Sequence, residues 1–123
     1  EIDAKILGIN VLQPDPQTLK DRVTQLATNM AESWPQAELK QAFDVQVNHA
    51  YFGAGYGQPT QGCIRAINMA AQLEGLLFDP VYSGKALAAL IDQINLGNLN
   101  HLDDVILIHT GGGASLGAYI DAF

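Results

Sequence analysis

The sequence predicts an α/β fold: a mainly parallel sheet flanked by helices in three layers. Two observations lead there. Short apolar runs rich in branched residues alternate with amphipathic helical stretches. The run Val105-Ile106-Leu107-Ile108 is unbroken, as expected of a strand covered on both faces. A third observation bears on function. Asp79-Pro80-Val81-Tyr82-Ser83-Gly84-Lys85 and Thr110-Gly111-Gly112-Gly113 put hydroxyl side chains at two chain reversals. Open α/β sheets bind ligands at the carboxyl ends of their strands, where Thr110 and the glycines would fall. A tyrosine, a serine and a threonine converging there could hold a polar cofactor ring.

Taken in order, Lys5 to Leu12 reads as a buried strand. Asp15-Pro16 starts a helix, with a capping side chain and proline at the first helical position. Leu19, Val23, Leu26, Ala27 and Met30 give it one buried face, and Trp34-Pro35 ends it. Gln36 to Phe43 suits a short extra helix, and Phe43 to Phe52 a second strand. Gly53 to Pro59 is a loop by composition. Thr60 caps a helix that buries Ile64, Ile67 and Ala71 and stops near Gly75. Leu76-Leu77-Phe78 fits a brief strand or a turn. Ser83 or Gly84 begins the next helix, with Leu87, Leu90, Ile91 and Ile94 on one stripe and Gly97 as its stop. After the strand at 105–108, the glycine turn feeds a last helix from Ala114 to Phe123.

Bulk properties narrow the function. At 123 residues the chain is the size of one domain, and 48% hydrophobic residues suffice for a core. Charged residues make up only 15%, which suggests that another chain, or a further part of this one, covers some surface. Six Lys and Arg against thirteen Asp and Glu give −7, the wrong sign for backbone-driven nucleic-acid binding. No basic run suits anionic lipid, and no apolar run is long enough to span a bilayer. With Cys63 alone there is no internal disulfide, in keeping with a reducing, cytoplasmic setting. Opening on Glu1, without an initiator Met or a signal segment, points to a processed or internal start.

Each candidate residue also has a plain structural reading. Gly111-Gly112-Gly113 could turn backbone N–H groups toward an anion, but a tight turn needs small residues too, and neither dinucleotide nor P-loop spacing is present. Tyr56 and Tyr82 sit in turns, which favours hydroxyls facing a cavity. Ser83 is most simply a helix N-cap, His109 a hydrogen-bonded core histidine, and Cys63 a buried thiol. His49 and His101 have no partner at ligand spacing, so no metal is assigned. Lys85 is either a surface lysine or an anion contact.

Joined together, Gly55-Tyr56-Gly57-Gln58-Pro59-Thr60, Glu74-Gly75, Asp79 to Lys85 and His109-Thr110-Gly111-Gly112 are more specific. They resemble the C-terminal part of the pyridoxal-phosphate family of D-cysteine desulfhydrases and 1-aminocyclopropane-1-carboxylate deaminases, of the tryptophan-synthase-β fold type. The resemblance covers nearly the whole chain but only about the last third of a family member. It implies that residues 1–123 are a single partial domain of a longer enzyme, with pyridoxal 5'-phosphate as cofactor, a small amino acid as substrate and a homodimeric assembly. Tyr82 resembles the family's active-site tyrosine beside the substrate, and Tyr56 its second. Thr110, with Gly111 beside it, matches the position whose hydroxyl meets the pyridine nitrogen in desulfhydrases, and Ser83 completes that cofactor-facing set.

The deaminase pattern has Glu in place of Ser83 and Leu in place of Thr110. A carboxylate there keeps the pyridine nitrogen protonated and makes the ring a stronger electron sink. A neutral hydroxyl makes a weaker one, which suffices to remove the Cα proton and expel hydrosulfide, yielding pyruvate and ammonia. The resemblance therefore favours D-cysteine desulfhydrase, with the deaminase and L-cysteate sulfo-lyase as alternatives. The family's Schiff-base lysine and phosphate loop lie upstream of this chain, so the 123 residues by themselves are expected to be inactive and to need the N-terminal part of the same enzyme. The reading from a different class is a non-catalytic α/β module that binds a small anion or a partner chain.

Overall fold

The structure is a computed structural model and describes residues 5–34 and 46–123. The extra helix expected at 36–43 and the start of the second strand lie outside those residues. The chain is α/β, with helices and a small parallel sheet. Strand β1 (Leu7–Ile9) pairs with β2 (Gln46–Asn48) in the register Leu7↔Gln46, Gly8↔Val47, Ile9↔Asn48. The Asn10 N–H continues the ladder to the Asn48 carbonyl at 2.9 Å. Both strands are shorter than the apolar runs that announced them.

Helix α1 (Pro16–Ser33) joins the strands and starts where its sequence signal lies: the Asp15 carboxylate accepts the N–H of Gln17 at 3.3 Å and of Thr18 at 2.8 Å. Its expected buried face is a correction. Leu19 and Ala27 are half-buried, whereas Val23, Leu26 and Met30 are exposed, so no residue of α1 is buried. The stripe has helical period, but β2, which touches α1, leaves none of it buried.

The core lies between α2 (Gln61–Glu74) and α3 (Ser83–Asn95). Thr60 caps α2 through its hydroxyl, which accepts the Cys63 N–H at 3.1 Å, and left-handed Gly75 ends it. Cys63, Ile67 and Ala70 of α2 pack with Phe78, and Leu87, Leu107 and Leu116 close the cluster from the side. On α3 the buried apolar residues are Ala88 and Ala89, while the expected stripe of Leu87, Leu90 and Ile91 is half-buried and Ile94 exposed. Small side chains take the face where two helices approach, and larger ones move to its flank.

Two further expectations are overturned after residue 100. Residues 105–108 take no regular secondary structure and join no ladder among the described residues: Leu107 reaches the core, while Ile106 is 85% exposed and Val105 and Ile108 are exposed as well. A strand is defined by hydrogen bonds to a neighbour, and among the described residues β1 and β2 pair only with each other. The last helix is a 3-10 segment over Gly113–Ala122 rather than an α-helix, with a non-helical kink at Tyr119 (φ −122°, ψ 22°). Gly113 and Gly117 lower helix propensity along it.

If the α2–α3 pair is the core, weakening the start of α2 should weaken the whole fold. Thr60→Ala is expected to lower unfolding stability by about 1 kcal/mol, read from the urea midpoint.

Candidate functional site

The site begins with a turn closed by one carboxylate. Asp79 Oδ1 accepts the N–H groups of Val81 (2.8 Å) and Tyr82 (2.6 Å), and Oδ2 accepts the N–H of Ser83 (2.8 Å) and its hydroxyl (2.5 Å). The Asp79 N–H in turn donates to Ser83 Oγ at 3.0 Å. Pro80 suits this turn because its fixed φ leaves the following amides free to fold back. Asp79 is therefore the residue that caps α3. Ser83, expected as an N-cap, is instead the first helical residue, and the flanking Tyr82 makes no side-chain cap.

Two glycines are required by close approach. A Cβ on Gly84 would lie 2.6 Å from the Asp79 carbonyl oxygen and 2.7 Å from Ile67 Cδ1. Gly112, with φ +94°, would place a Cβ 2.7 Å from both Cβ and Oδ2 of Asp79. The second glycine brings the turn at 111–113 down onto the first turn. The two chain reversals singled out in the sequence therefore do meet, through Asp79. Ser83 Oγ also lies 3.2 Å from the Gly111 carbonyl.

His109 fixes the entry to the glycine turn. The Gly111 N–H donates to Nδ1 at 2.9 Å, and Nε2 lies 3.1 Å from the Leu77 carbonyl. An amide can only donate and a carbonyl only accept, so these two bonds select the tautomer with its proton on Nε2. The ring lies 4.2 Å from that of Phe78, but the residue is exposed rather than in the core. The expected hydrogen bonding is present; the expected burial is not.

Above the turn, the hydroxyls of Tyr56 and Tyr82 are hydrogen-bonded to each other, with ring centroids 5.9 Å apart and planes inclined at 60°. Both line an open recess of about 170 Å³, together with Asp79, Gly112, Ser115 and Tyr119. Of the expected site residues, Tyr56 and Tyr82 face this recess. Ser83 lies behind it at 3% exposure, with its hydroxyl turned to Asp79 and Gly111. Thr110 is exposed and outside the lining, since the segment leading to it is docked on no sheet. The carboxyl ends of the strands that do form hold Asn10 and His49 instead, where Asn10 Nδ2 lies 2.6 Å from His49 Nδ1.

Electrostatics follow from these contacts. Burial alone would raise the Asp79 carboxyl and is the largest single influence. The bonds from the Ser83 hydroxyl and the N–H groups of Tyr82, Ser83 and Val81 together outweigh it and hold the group below its ordinary 3.8. Tyr82 is raised, chiefly by its bond to Tyr56 and then by burial. Burial pushes the Cys63 thiol up to about 11, so it stays protonated. Lys85 is fully buried, which excludes both a surface lysine and a contact to an anion in the recess.

The residues not foreseen are Asp79 as the organiser and Ser115 and Tyr119 as lining. Asp79 had a readable signal, a short acidic side chain before proline at a helix start. Tyr119 had none, because its direction comes from the kink in the 3-10 segment.

No protein-family model matches the chain. Among curated proteins it is similar to the 1-aminocyclopropane-1-carboxylate deaminase of Burkholderia lata, 34% identical over 119 residues, 97% of this chain and 35% of that protein. The deaminase of Burkholderia cenocepacia gives the same figures. The D-cysteine desulfhydrase of Salmonella paratyphi C is 38% identical over 117 residues, 95% of this chain and 34% of that protein. The chain thus spans about a third of the length of the curated relatives it matches.

Two outcomes follow from the site geometry. Asp79→Asn replaces two acceptor oxygens by one and is expected to cost about 2 kcal/mol at neutral pH by leaving a buried N–H unpaired. The native carboxyl is depressed, so its contribution is present above pH 3.8 and lost as pH falls through the folded value. The gap between wild type and variant in chemical unfolding should accordingly close in acid. Tyr56→Phe removes the leading cause of the Tyr82 shift and should lower the Tyr82 titration midpoint, as followed by ring-carbon NMR.

Proposed function

We infer that this chain, which belongs to the family of D-cysteine desulfhydrases and 1-aminocyclopropane-1-carboxylate deaminases, is the C-terminal part of a pyridoxal-phosphate-dependent lyase. The activity we assign to the whole protein is the breakdown of D-cysteine to pyruvate, ammonia and hydrogen sulfide. One observation carries the reading: two hydroxyl-bonded tyrosines stand over a glycine turn in a chain 38% identical to a D-cysteine desulfhydrase.

The residues present suit one wall of a cofactor site. The recess offers phenols and backbone at Gly112, and its lining contains no lysine. As the family resemblance implies, the Schiff-base amine would come from a lysine motif that the family carries upstream of the part this chain matches. Tyr82 and Tyr56 would face the substrate, and Thr110, Gly111 and Ser83 would meet the cofactor ring, as the family resemblance implies. When bound, the cofactor supplies the electron sink for charge developing at Cα.

The chain's own residues do the remaining work. Asp79 fixes Tyr82 and Ser83 through the backbone, so the phenol is held in one place before substrate arrives. Tyr82 is a phenol whose bond to Tyr56 raises it further above the ordinary tyrosine value, so at neutral pH it carries its proton and can serve as a hydrogen-bond donor and proton source rather than a base. Expulsion of sulfur from Cβ needs a proton at the leaving group, and a neutral phenol lining the recess suits that step.

The exposed apolar positions Val23, Leu26, Met30, Trp34, Ile106 and Ile108 support a larger assembly. We read the two-stranded sheet as part of a three-layer parallel sheet completed by the N-terminal part, in a cytoplasmic homodimer. Among the described residues no helix is long and apolar enough to cross a membrane.

The test uses the full-length protein. With D-cysteine it should release sulfide and pyruvate in equal amounts, and borohydride reduction should leave a cofactor adduct in the intact mass. Ammonia and 2-oxobutanoate from the cyclopropane substrate would make it a deaminase, and sulfite from L-cysteate a sulfo-lyase. No turnover and no adduct would leave a non-catalytic binding module. Tyr82→Phe should lower kcat by about 100-fold, the scale of one lost proton-transfer group. Thr110→Leu should weaken desulfhydrase turnover while leaving the melting temperature unchanged, because Thr110 is exposed.

A further inference from the structure

Lys85 is the largest fully buried side chain in the described structure, at 0% exposure. It lies on the first turn of α3, three residues after Tyr82. Its Nζ donates to the Phe52 carbonyl at 2.7 Å and sits 5.9 Å from the centre of the Phe52 ring. Burial pushes the amine below its ordinary range, and among the described residues no carboxylate pairs with it. An ammonium buried without an ion-pair partner is costly, and helix packing alone would be better served by an apolar side chain of similar length.

The carbonyl it holds is informative. Phe52 precedes Tyr56 by four residues and opens the glycine loop. Its N–H is tied to the His49 carbonyl at 3.2 Å, and its ring is stacked on His49 at 5.1 Å. Gly53 follows in the left-handed region, where a Cβ would lie 2.6 Å from Thr60 Cγ2 and 3.9 Å from Lys85 Nζ. The backbone at 52–53 thus closes over the ammonium. Two ties span the same gap between the start of α3 and the loop: Lys85 to the Phe52 carbonyl, and Tyr82 to the Tyr56 hydroxyl.

We propose that Lys85 is a positioning residue for the tyrosine pair: its bond to the Phe52 carbonyl sets the loop at the depth where the Tyr56 hydroxyl meets Tyr82. A side chain that reaches the carbonyl from α3 keeps the two phenols in register. One that falls short lets the loop lift and the pair separate. This goes beyond the lyase reading, because it concerns the architecture of the recess and requires neither cofactor nor substrate.

The experiment follows the Tyr82 phenol by NMR of ring-labelled tyrosine in the full-length protein. The groups facing Tyr82 are Tyr56, Asp79 and Tyr119, and the last two are unchanged in every variant. Lys85→Met should lower the Tyr82 midpoint as far as Tyr56→Phe does, and the double variant should add nothing further. Lys85→Arg, which still reaches and donates, should restore the wild-type midpoint. If Lys85→Met does not fold, Lys85→Gln carries the test: its amide donates but is too short to reach, so it should show the lowered midpoint. A folded Met or Gln variant with the wild-type midpoint, or effects of Lys85 and Tyr56 that add, would overturn the proposal. Activity is read separately on D-cysteine, so failure of the lyase assignment leaves this result intact.

Discussion

A carboxylate that is 2% exposed stays ionised only if its surroundings replace the water it has lost, and for Asp79 four donors do so within a single turn. All four come from the next few residues, so the charge and the backbone conformation fix one another. The N–H groups of Val81, Tyr82 and Ser83 point inward because the carboxylate is there. The carboxylate stays charged because they do. Tyr82 is directed outward as a consequence, and the first N–H groups of α3, those of Ser83 and Gly84, are taken up by Asp79 outside the helix.

The rest of the site is built against that turn. Gly112 lies against the Asp79 side chain and Gly84 against its carbonyl, each at a distance no Cβ allows. These two contacts stand in for the sheet pairing that the segment before the glycines lacks among the described residues. The 111–113 turn is located by its packing on Asp79, by the Gly111 amide on His109 and by the Ser83 hydroxyl. A loop tied at several points by backbone polar groups holds its shape without a strand to carry it.

What the sequence made legible was local. Asp15-Pro16, Thr60 and Gly75 mark helix ends with side-chain and backbone signals acting over three or four residues, and the helices begin and stop there. That Tyr56 and Tyr82 face a cavity was legible because both tyrosines stood in turns away from any apolar stripe; their bond to each other was not. What failed was non-local. The run at 105–108 has the composition of a buried strand, but composition cannot supply the neighbour that makes a ladder. The stripes on α1 and α3 had the right period, yet which face is covered depends on what packs there. Lys85 was undecided for the same reason: lysine is among the residues least often buried, and only the carbonyl of Phe52, thirty-three positions away, explains its place.

Position 83 shows how the turn bears on the proposed chemistry. The deaminase pattern of the family carries Glu there, and in this chain the serine hydroxyl spends its bonds on Asp79 and Gly111. A glutamate could not take that place, because a second carboxylate would meet the ionised Asp79 at hydrogen-bond distance and repel it. It would have to turn away from Asp79, and the first turn of α3 would keep only the backbone half of its present bonding. A change from serine to glutamate therefore alters two things at once: the charge offered to a bound ring and the rigidity of the residue next to Tyr82. In the proposed reading, the neutral partner at position 83 goes with a firmly closed turn and a phenol held still.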